Sequence, residues 1–373
     1  MKILLLAGES SGELYARTLR QLLAPHEIRG YGDYGFRTCD LAVMGIWAVL
    51  RRARYFLNVK RTMIRALDDW RPDVVCTIDY PGMNLRLAAA AKARGIRTVH
   101  VVSPQVWAWK KGRIPKIEAA IDRLLCFFPF EPALYKPGFA TFVGHPLVEA
   151  VAETRARLGA DKAAASTSRL VALLPGSRLG EIARNLPPLL QAAQGLKDIR
   201  IEIPAAHAAA RKAIDALVAA WQASGASRPP VRVLDGGARE LLLRAGCAAV
   251  ASGTATLEAA LARCPTVLVY RVSPLFAWLA RRFIWEIRHI GLINIIWEKT
   301  KPDDPGEPMP ELLQEAFTPE AVAAHLASWL DDPLSRASAV ARLDAACRLL
   351  DAPSGAMARI AHAILDDVRE EKR

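Results

Sequence analysis

The stretch Lys2-Ile3-Leu4-Leu5-Leu6-Ala7-Gly8-Glu9-Ser10-Ser11-Gly12-Glu13 decides how the rest of the chain is read. A short run, apolar at every position after Lys2, stops abruptly in small and polar residues, as a buried strand does when it turns into a helix. The run resembles the apolar region of a signal peptide only until Glu9 interrupts it. The same grammar continues outward from this unit. Further strands are expected at Val74–Ile78, Thr98–Val102, Leu124–Phe127 and Thr141–Val143, separated by helix-period segments. It begins again in the second half, at Leu170–Leu174, Ile199–Ile203, Val231–Leu234, Ala248–Ala251 and Thr266–Tyr270. Alternation of this kind predicts an α/β fold with mostly parallel sheets.

A chain of 373 residues exceeds what one hydrophobic core organises, so two doubly wound, Rossmann-like domains are expected. The boundaries are set at residues 1–155 and 156–345, with the polar, Ala/Ser-rich stretch Asp161 to Ser168 as linker. A helical segment, 346–373, follows and packs on the first domain or on a dimer partner. Its stripe is Ile360, Ile364 and Val368, and an earlier helix carries Val322, Leu326 and Leu330 on one face. In such folds ligands bind beyond the carboxyl ends of the strands, which places the expected active site in a cleft between the domains.

Composition narrows the function classes. With 52% hydrophobic and 24% charged residues, the chain is globular rather than disordered or fibrous. A net charge of +12 calls for anionic partners: nucleic acid, phosphorylated substrates or an acidic membrane face. The six cysteines are scattered without CxxC spacing and read as reduced core thiols, not metal ligands. No uncharged stretch reaches the roughly eighteen residues needed to cross a bilayer, so membrane contact is expected to be peripheral.

Five motifs carry chemistry. Gly8 to Glu13 opens a helix whose free N–H groups can hold an anion or a sugar hydroxyl, with Glu9, Ser11 and Gly12 as candidates. Leu174-Pro175-Gly176-Ser177-Arg178 follows the first strand of the second half. Ser177 can cap a helix there, and Arg178 offers a bidentate fork to a diphosphate. Ser252-Gly253-Thr254-Ala255-Thr256-Leu257-Glu258 repeats the design, with Glu258 able to accept from a ribose diol. Ile78-Asp79-Tyr80-Pro81-Gly82-Met83-Asn84 places a carboxylate at a strand end, either as general base toward a sugar hydroxyl or as a helix cap. Ser103-Pro104-Gln105-Val106-Trp107-Ala108-Trp109 with Lys110, Lys111, Arg113 and Lys116 suits a sugar floor and equally a nucleic-acid base platform. His145, in Gly144-His145-Pro146, sits at another strand end, open to a functional or a structural role.

Taken in order, AGESSGE, LAVMGI, VVSPQVWAWK, FVGHP, LLPGSR, Val233-Leu234-Asp235-Gly236 and SGTATLE resemble the lipid-A-disaccharide synthases from residue 3 to about residue 350. The resemblance implies an inverting glycosyltransferase of the two-Rossmann-domain (GT-B) type. Its substrates would be UDP-2,3-diacylglucosamine as donor and 2,3-diacylglucosamine 1-phosphate as acceptor, joined through a β-1,6 link, with UDP released and no cofactor or metal. It further implies that Arg178, Ser177, Gly253, Thr254 and Glu258 hold the donor, together with Asn294, Glu311 and Gln314. Asp79 and Glu9 would be catalytic, and Ser11, Gly12, Gln105, Trp107 and His145 would line the acceptor side. Two departures bear on this carry-over: Ile293 stands where the family carries Pro, and Glu298 to Glu307 resembles an insertion. The loop Gly30 to Asp40 is shortened.

Acylated sugars reside in a bilayer, and the sequence offers a surface for one. Trp47, Val49, Leu50, Phe56 and Leu57 interleave with Arg51, Arg52, Arg54, Lys60 and Arg61, as in an interfacial amphipathic helix on an anionic membrane. A second stretch, Leu275 to Trp297, is similarly mixed and reads either as lipid contact or as a buried interface. The implied location is cytoplasmic, peripheral on the inner face of the inner membrane, and the implied assembly is a homodimer. The competing readings are an enzyme acting on a soluble UDP-sugar and a basic nucleic-acid-binding protein. The second lacks any recognition-helix or RNA-binding-sheet signature, so nucleic acid is not an expected partner.

Overall fold

The computed structural model describes residues 1–41, 51–108, 111–159, 167–225, 228–271, 288–304, 306–352 and 355–369. The chain divides into two compact units, Met1–Pro146 with Asp351–Arg373, and Leu147–Leu350.

The first unit contains strands β1 (Lys2–Ala7), β2 (Glu27–Arg29), β3 (Val74–Ile78), β4 (Arg97–Val101), β5 (Arg123–Cys126) and β6 (Ala140–Phe142). They form one parallel sheet in the order β2-β1-β3-β4-β5-β6. Its helices are α1 (Ser10–Leu22), α2 (Thr38–Leu41), α3 (Ala53–Trp70), α4 (Pro81–Lys92) and α5 (Ile114–Ala120). Period-2 alternation in β1 builds a core on each face. Ile3, Leu5 and Ala7 pack with Leu19 of α1 and Leu23 just after it, whereas Leu4 and Leu6 pack with Val59, Met63 and Leu67 of α3 and Leu87 of α4. The final helix, Ala356–Arg369, brings Ile360 and Ile364 into the α1 side of that core.

The second unit is assembled the same way. Its strands are β7 (Leu170–Leu174), β8 (Arg200–Ala205), β9 (Val231–Asp235), β10 (Cys247–Ala251), β11 (Thr266–Tyr270) and β12 (Glu311–Leu313), parallel and ordered β9-β8-β7-β10-β11-β12. That is the 3-2-1-4-5-6 order of a dinucleotide-binding fold. The helices that matter below are α6 (Pro146–Leu158), α7 (Leu179–Gln194), α8 (Ala208–Ala223), α9 (Ala238–Arg244), α10 (Thr254–Ala262), α11 (Leu292–Thr300), α12 (Pro319–Asp331) and α13 (Pro333–Arg348); the final helix of the chain is α14. Val322 and Leu326 of α12 sit in the core with Val171, Leu173 and Ala249.

All ten expected strands form, with ends shifted by at most two residues. The sequence reading missed β2 and β12, three-residue edge strands too short to show a period. Cys76, Cys126, Cys247, Cys264 and Cys347 are buried free thiols. The expected linker falls largely on residues 160–166, outside the described residues.

Candidate active site

Both sheets reverse their strand order next to the first strand, between β1 and β3 and between β7 and β10. Loops diverge at such a point and leave a crevice, so each unit carries a site there.

In the first unit, Gly8 and Glu9 leave β1 while Asp79 and Tyr80 leave β3. Asp79 and Tyr80 both adopt left-handed backbone conformations, φ 48° and 52°, and Val102 at the end of β4 has φ 74°. Such geometry is rare for residues with a side chain, above all for β-branched Val, and it clusters where function over-determines the backbone. Three contacts hold it. The Asp79 N–H donates to Val101 O at 2.9 Å, the Tyr80 N–H donates to Asp79 Oδ1 at 2.8 Å, and the Tyr80 hydroxyl donates to Leu41 O at 3.1 Å. Gly8 is required because a Cβ there would come within 2.5 Å of Tyr80 Cγ.

Asn84, fully buried one turn into α4, ties these ends together. Its Nδ2 faces Leu6 O, Ile78 O and Asp79 O at 3.2, 3.1 and 2.8 Å, while its Oδ1 accepts from the Tyr31 hydroxyl at 2.8 Å. Burial raises the Asp79 carboxyl above its ordinary value, opposed by the Tyr80 N–H. Glu9 is raised by burial and then by the like charge of Asp79, which shows that the two expected catalytic carboxylates are electrostatic neighbours. Gly12 lets α1 approach the sheet, since a Cβ there would stand 3.4 Å from Ala7 Cβ and Ile78 Cγ2. The Ser11 side chain lies outside the described residues.

Along the same strand ends, Gln105 is exposed and Trp107 is only 5% exposed, its ring edge-on to Phe130 at 5.7 Å. His145 is buried against Phe127 and Phe128, at 5.2 and 5.8 Å between ring centres, and burial lowers its pKa to about 4. Trp47, Val49, Leu50, Trp109 and residues 272–287 lie outside the described residues. On α3, Leu57 is exposed at 53%, whereas Phe56 is half-buried against the core beside Tyr55.

In the second unit, a cavity of about 440 Å³ opens at the carboxyl ends of β7, β8, β9 and β10. Gly176, Ser177, Arg178, Gly253 and Thr254, expected from two separate stretches of sequence, all line it. No side chain caps α10, whose N-cap is Gly253; the Thr256 N–H is taken by Gly253 O at 3.2 Å, and Thr254 and Ala255, both on the cavity wall, offer the remaining amides of the helix start. Gly253 has φ 150° and ψ −166°, a conformation open to glycine alone. Arg178 pairs with Glu181 at 2.8 Å and stays 64% exposed. Gly176, φ 108°, leaves room for the Glu181 side chain. His207 accepts from the Ala210 N–H through Nδ1, and its Nε2 lies 3.1 Å from Ser177 O, which supports the turn.

Glu258 does not line the cavity; Oε1 accepts from Arg239 Nε and Nη2 at 3.1 and 2.8 Å. Asn294 and Glu311 are brought together, but as a structural pair. Asn294 is bound to both backbone groups of Met309, and Glu311 accepts from Ile290 N, Gly291 N and Asn294 Nδ2. His289 Nδ1 stands 3.7 Å from Glu307 and from Glu311, but amide donors at the start of α11 already surround Glu311, an arrangement that suits a capping carboxylate better than a cation site. Gln314 follows β12 with φ 53°. A larger cavity of about 670 Å³, bordered by Arg155, Arg263 and Trp329, lies toward the opposite strand ends, where this fold does not bind substrates.

Sequence reasoning quoted Tyr80, Asn84 and Gly236 within motifs without giving them a role, and missed Gly237 and Arg239. Only the paired glycines, both left-handed with φ 74° and 73° and both on the cavity wall, left a local signal.

The family model described as "Lipid-A-disaccharide synthetase" matches residues 3–361. The chain belongs to the lipid-A-disaccharide synthase family. It is similar to the lipid-A-disaccharide synthase of Sodalis glossinidius, 39% identical over 365 residues, covering 90% of this chain and 91% of that one. In fold it is similar to the calicheamicin glycosyltransferase CalG4, with TM-score 0.61, 14% identity, and coverage of 100% of this chain and 98% of that one. It is also similar to a UDP-GlcNAc 2-epimerase from Neisseria meningitidis bound to UDP-GlcNAc, with TM-score 0.59, 12% identity and full coverage of both chains. The protein is therefore a hexosyltransferase of lipid A biosynthesis with a GT-B fold. It forms the lipid A disaccharide from a UDP-sugar donor, UDP-2,3-diacylglucosamine, and the acceptor 2,3-diacylglucosamine 1-phosphate.

Proposed function

We propose that the second unit binds the UDP moiety of the donor and the first unit binds the acceptor, with Asp79 as general base. The cavity walled by Gly176, Ser177, Arg178, Gly236, Gly237, Gly253 and Thr254 carries this reading. It joins helix-start amides, backbone that glycine alone permits and an exposed guanidinium, the combination a diphosphate needs in the absence of a metal. The acceptor 6-hydroxyl oxygen attacks C1 of the donor and its proton passes to Asp79. The C1–O bond to UDP breaks and UDP leaves with the electron pair, which inverts the anomeric centre. Burial supports Asp79 in this role, because a base with a raised pKa takes a proton more readily. Glu9 shares the charge of the site, and Gln105 is the solvent-facing polar group on the acceptor side.

The exposed face of α3, with Leu57 among Arg54 and Arg61, supports docking on an anionic bilayer from the cytoplasmic side. A homodimer remains part of the proposal through the resemblance alone. The direct test mixes purified protein with both acylated sugars and follows the disaccharide by mass and UDP by calorimetry. Disaccharide formation that survives Asp79→Ala removes the base role, and UDP affinity unchanged in Arg178→Ala removes the donor placement.

A further inference from the structure

Beside the acceptor-side loop lies a carboxyl group with no part in the chemistry above. Glu131 is 1% exposed, at the turn between β5 and β6. The Phe128 N–H donates to its Oε2 at 3.1 Å, and its own N–H and C=O bond to Phe128 and Leu134, so the residue closes the turn on itself. The hydroxyl of Ser103 and the indole N–H of Trp107 face the carboxyl and partly offset its burial. Trp107 Nε1 is fully buried and meets no acceptor in good hydrogen-bonding geometry among the described residues, while its ring packs on Phe130, inside the turn that Glu131 closes, at 5.7 Å. Ser103 also bonds to the Tyr135 hydroxyl at 3.0 Å. Ser103 and Trp107 are the two ends of the loop that presents Gln105 to solvent.

We propose that Glu131 is a positioning residue for the transfer: its buried carboxyl group fixes the turn whose Phe130 and Tyr135 hold the loop from Ser103 to Trp107, and with it Gln105, in the arrangement that receives the acceptor sugar. The proposal rests on the acceptor-side reading of that loop. A neutral acid suits the place because it can both accept and donate, whereas a carboxylate sealed among Trp107, Phe128 and Phe130 would lack solvation. Burial raises the Glu131 pKa to about 8. The neighbours do not titrate in that range. Cys126 on β5 is pushed well up and Tyr135 up to about 12, and His145 after β6 is held at about 4.

The test compares Glu131→Gln, a neutral isostere, with Glu131→Leu in the full-length protein, reading kcat, acceptor KM, UDP affinity and pH profile. Glu131→Gln is expected to keep wild-type rates at pH 7 and to lose the alkaline fall of activity that the wild type shows near pH 8. Glu131→Leu is expected to raise acceptor KM and lower kcat, each by about tenfold, with UDP affinity unchanged. Wild-type acceptor kinetics in Glu131→Leu overturn the proposal, as does equal impairment of both variants, which would mark a merely structural role. Should Glu131→Leu not fold, identical alkaline limbs in wild type and Glu131→Gln overturn it. Gln105→Ala keeps the two readings apart. Unchanged acceptor KM there sinks the acceptor-side reading, whereas a raised KM there with wild-type kinetics in Glu131→Leu sinks the role of Glu131 alone.

Discussion

Replacing Asn84 by Leu keeps the number and branching of the side-chain heavy atoms and deletes the polar ones, which exposes what the amide does. Its two N–H donors serve three carbonyl oxygens, from Leu6, Ile78 and Asp79, and its oxygen accepts from Tyr31. The variant therefore loses about three net hydrogen bonds at roughly 1 kcal/mol each, and the orphaned buried groups raise the total to about 3–5 kcal/mol. The carbonyl of Asp79 is among those released, so the left-handed pair Asp79 and Tyr80 loses one of the contacts that hold it. Because the chain has two units, one global unfolding free energy is poorly defined, and amide hydrogen exchange in the peptide spanning β3 is the suitable readout. Protection there is expected to fall by about 10²-fold or more at neutral pH, while peptides of β7 and β10 keep theirs. The rate of transfer is expected to fall at least as steeply as in a variant with a misplaced base, about 10²-fold. Unchanged protection in β3 together with a wild-type kcat would falsify the view that Asn84 holds the site.

Asp79 must be deprotonated to accept a proton and burial raises its pKa, so activity is lost as pH falls through that raised value in a kcat/KM profile; Glu9→Gln leaves this acid limb in place, because the like charge raises Glu9 and not Asp79. A limb that moves would show that Glu9 sets the ionisation of the base. Gly253→Ala meets open space but forces a side chain into backbone available to glycine alone, which costs roughly 1–3 kcal/mol and is expected to weaken UDP binding by about tenfold or more in calorimetry. Equal affinity would show that α10 does not touch the nucleotide. Leu57→Glu puts a charge on the exposed face of α3 and is expected to reduce binding to anionic vesicles without changing UDP affinity; undiminished vesicle binding counts against that face as the membrane contact.

What the sequence determined by itself was the architecture and half of the chemistry. The inner strands β1, β3, β7 and β10 announce themselves because each is buried along almost its whole length and reads as an apolar run, whereas β2 and β12 are three-residue edge strands, only partly buried, with no such run. Gly176, Arg178 and Gly253 were legible because a βα turn at a helix start needs small residues at fixed places whatever surrounds it. Only the tertiary structure decided which of these turns meet. The strand order puts β7 beside β10 across 72 residues of chain, from Leu174 to Cys247. Asn84, Arg239 and Glu131 look like ordinary polar residues in sequence, since their partners are backbone carbonyls, a distant carboxylate and a buried loop. The same logic explains Glu311 and Asn294, whose side chains are consumed by the start of α11 and the Met309 backbone. Periodicity records which face of an element is dry, but a polar side chain takes its meaning from the group it meets, and that group is chosen by the fold.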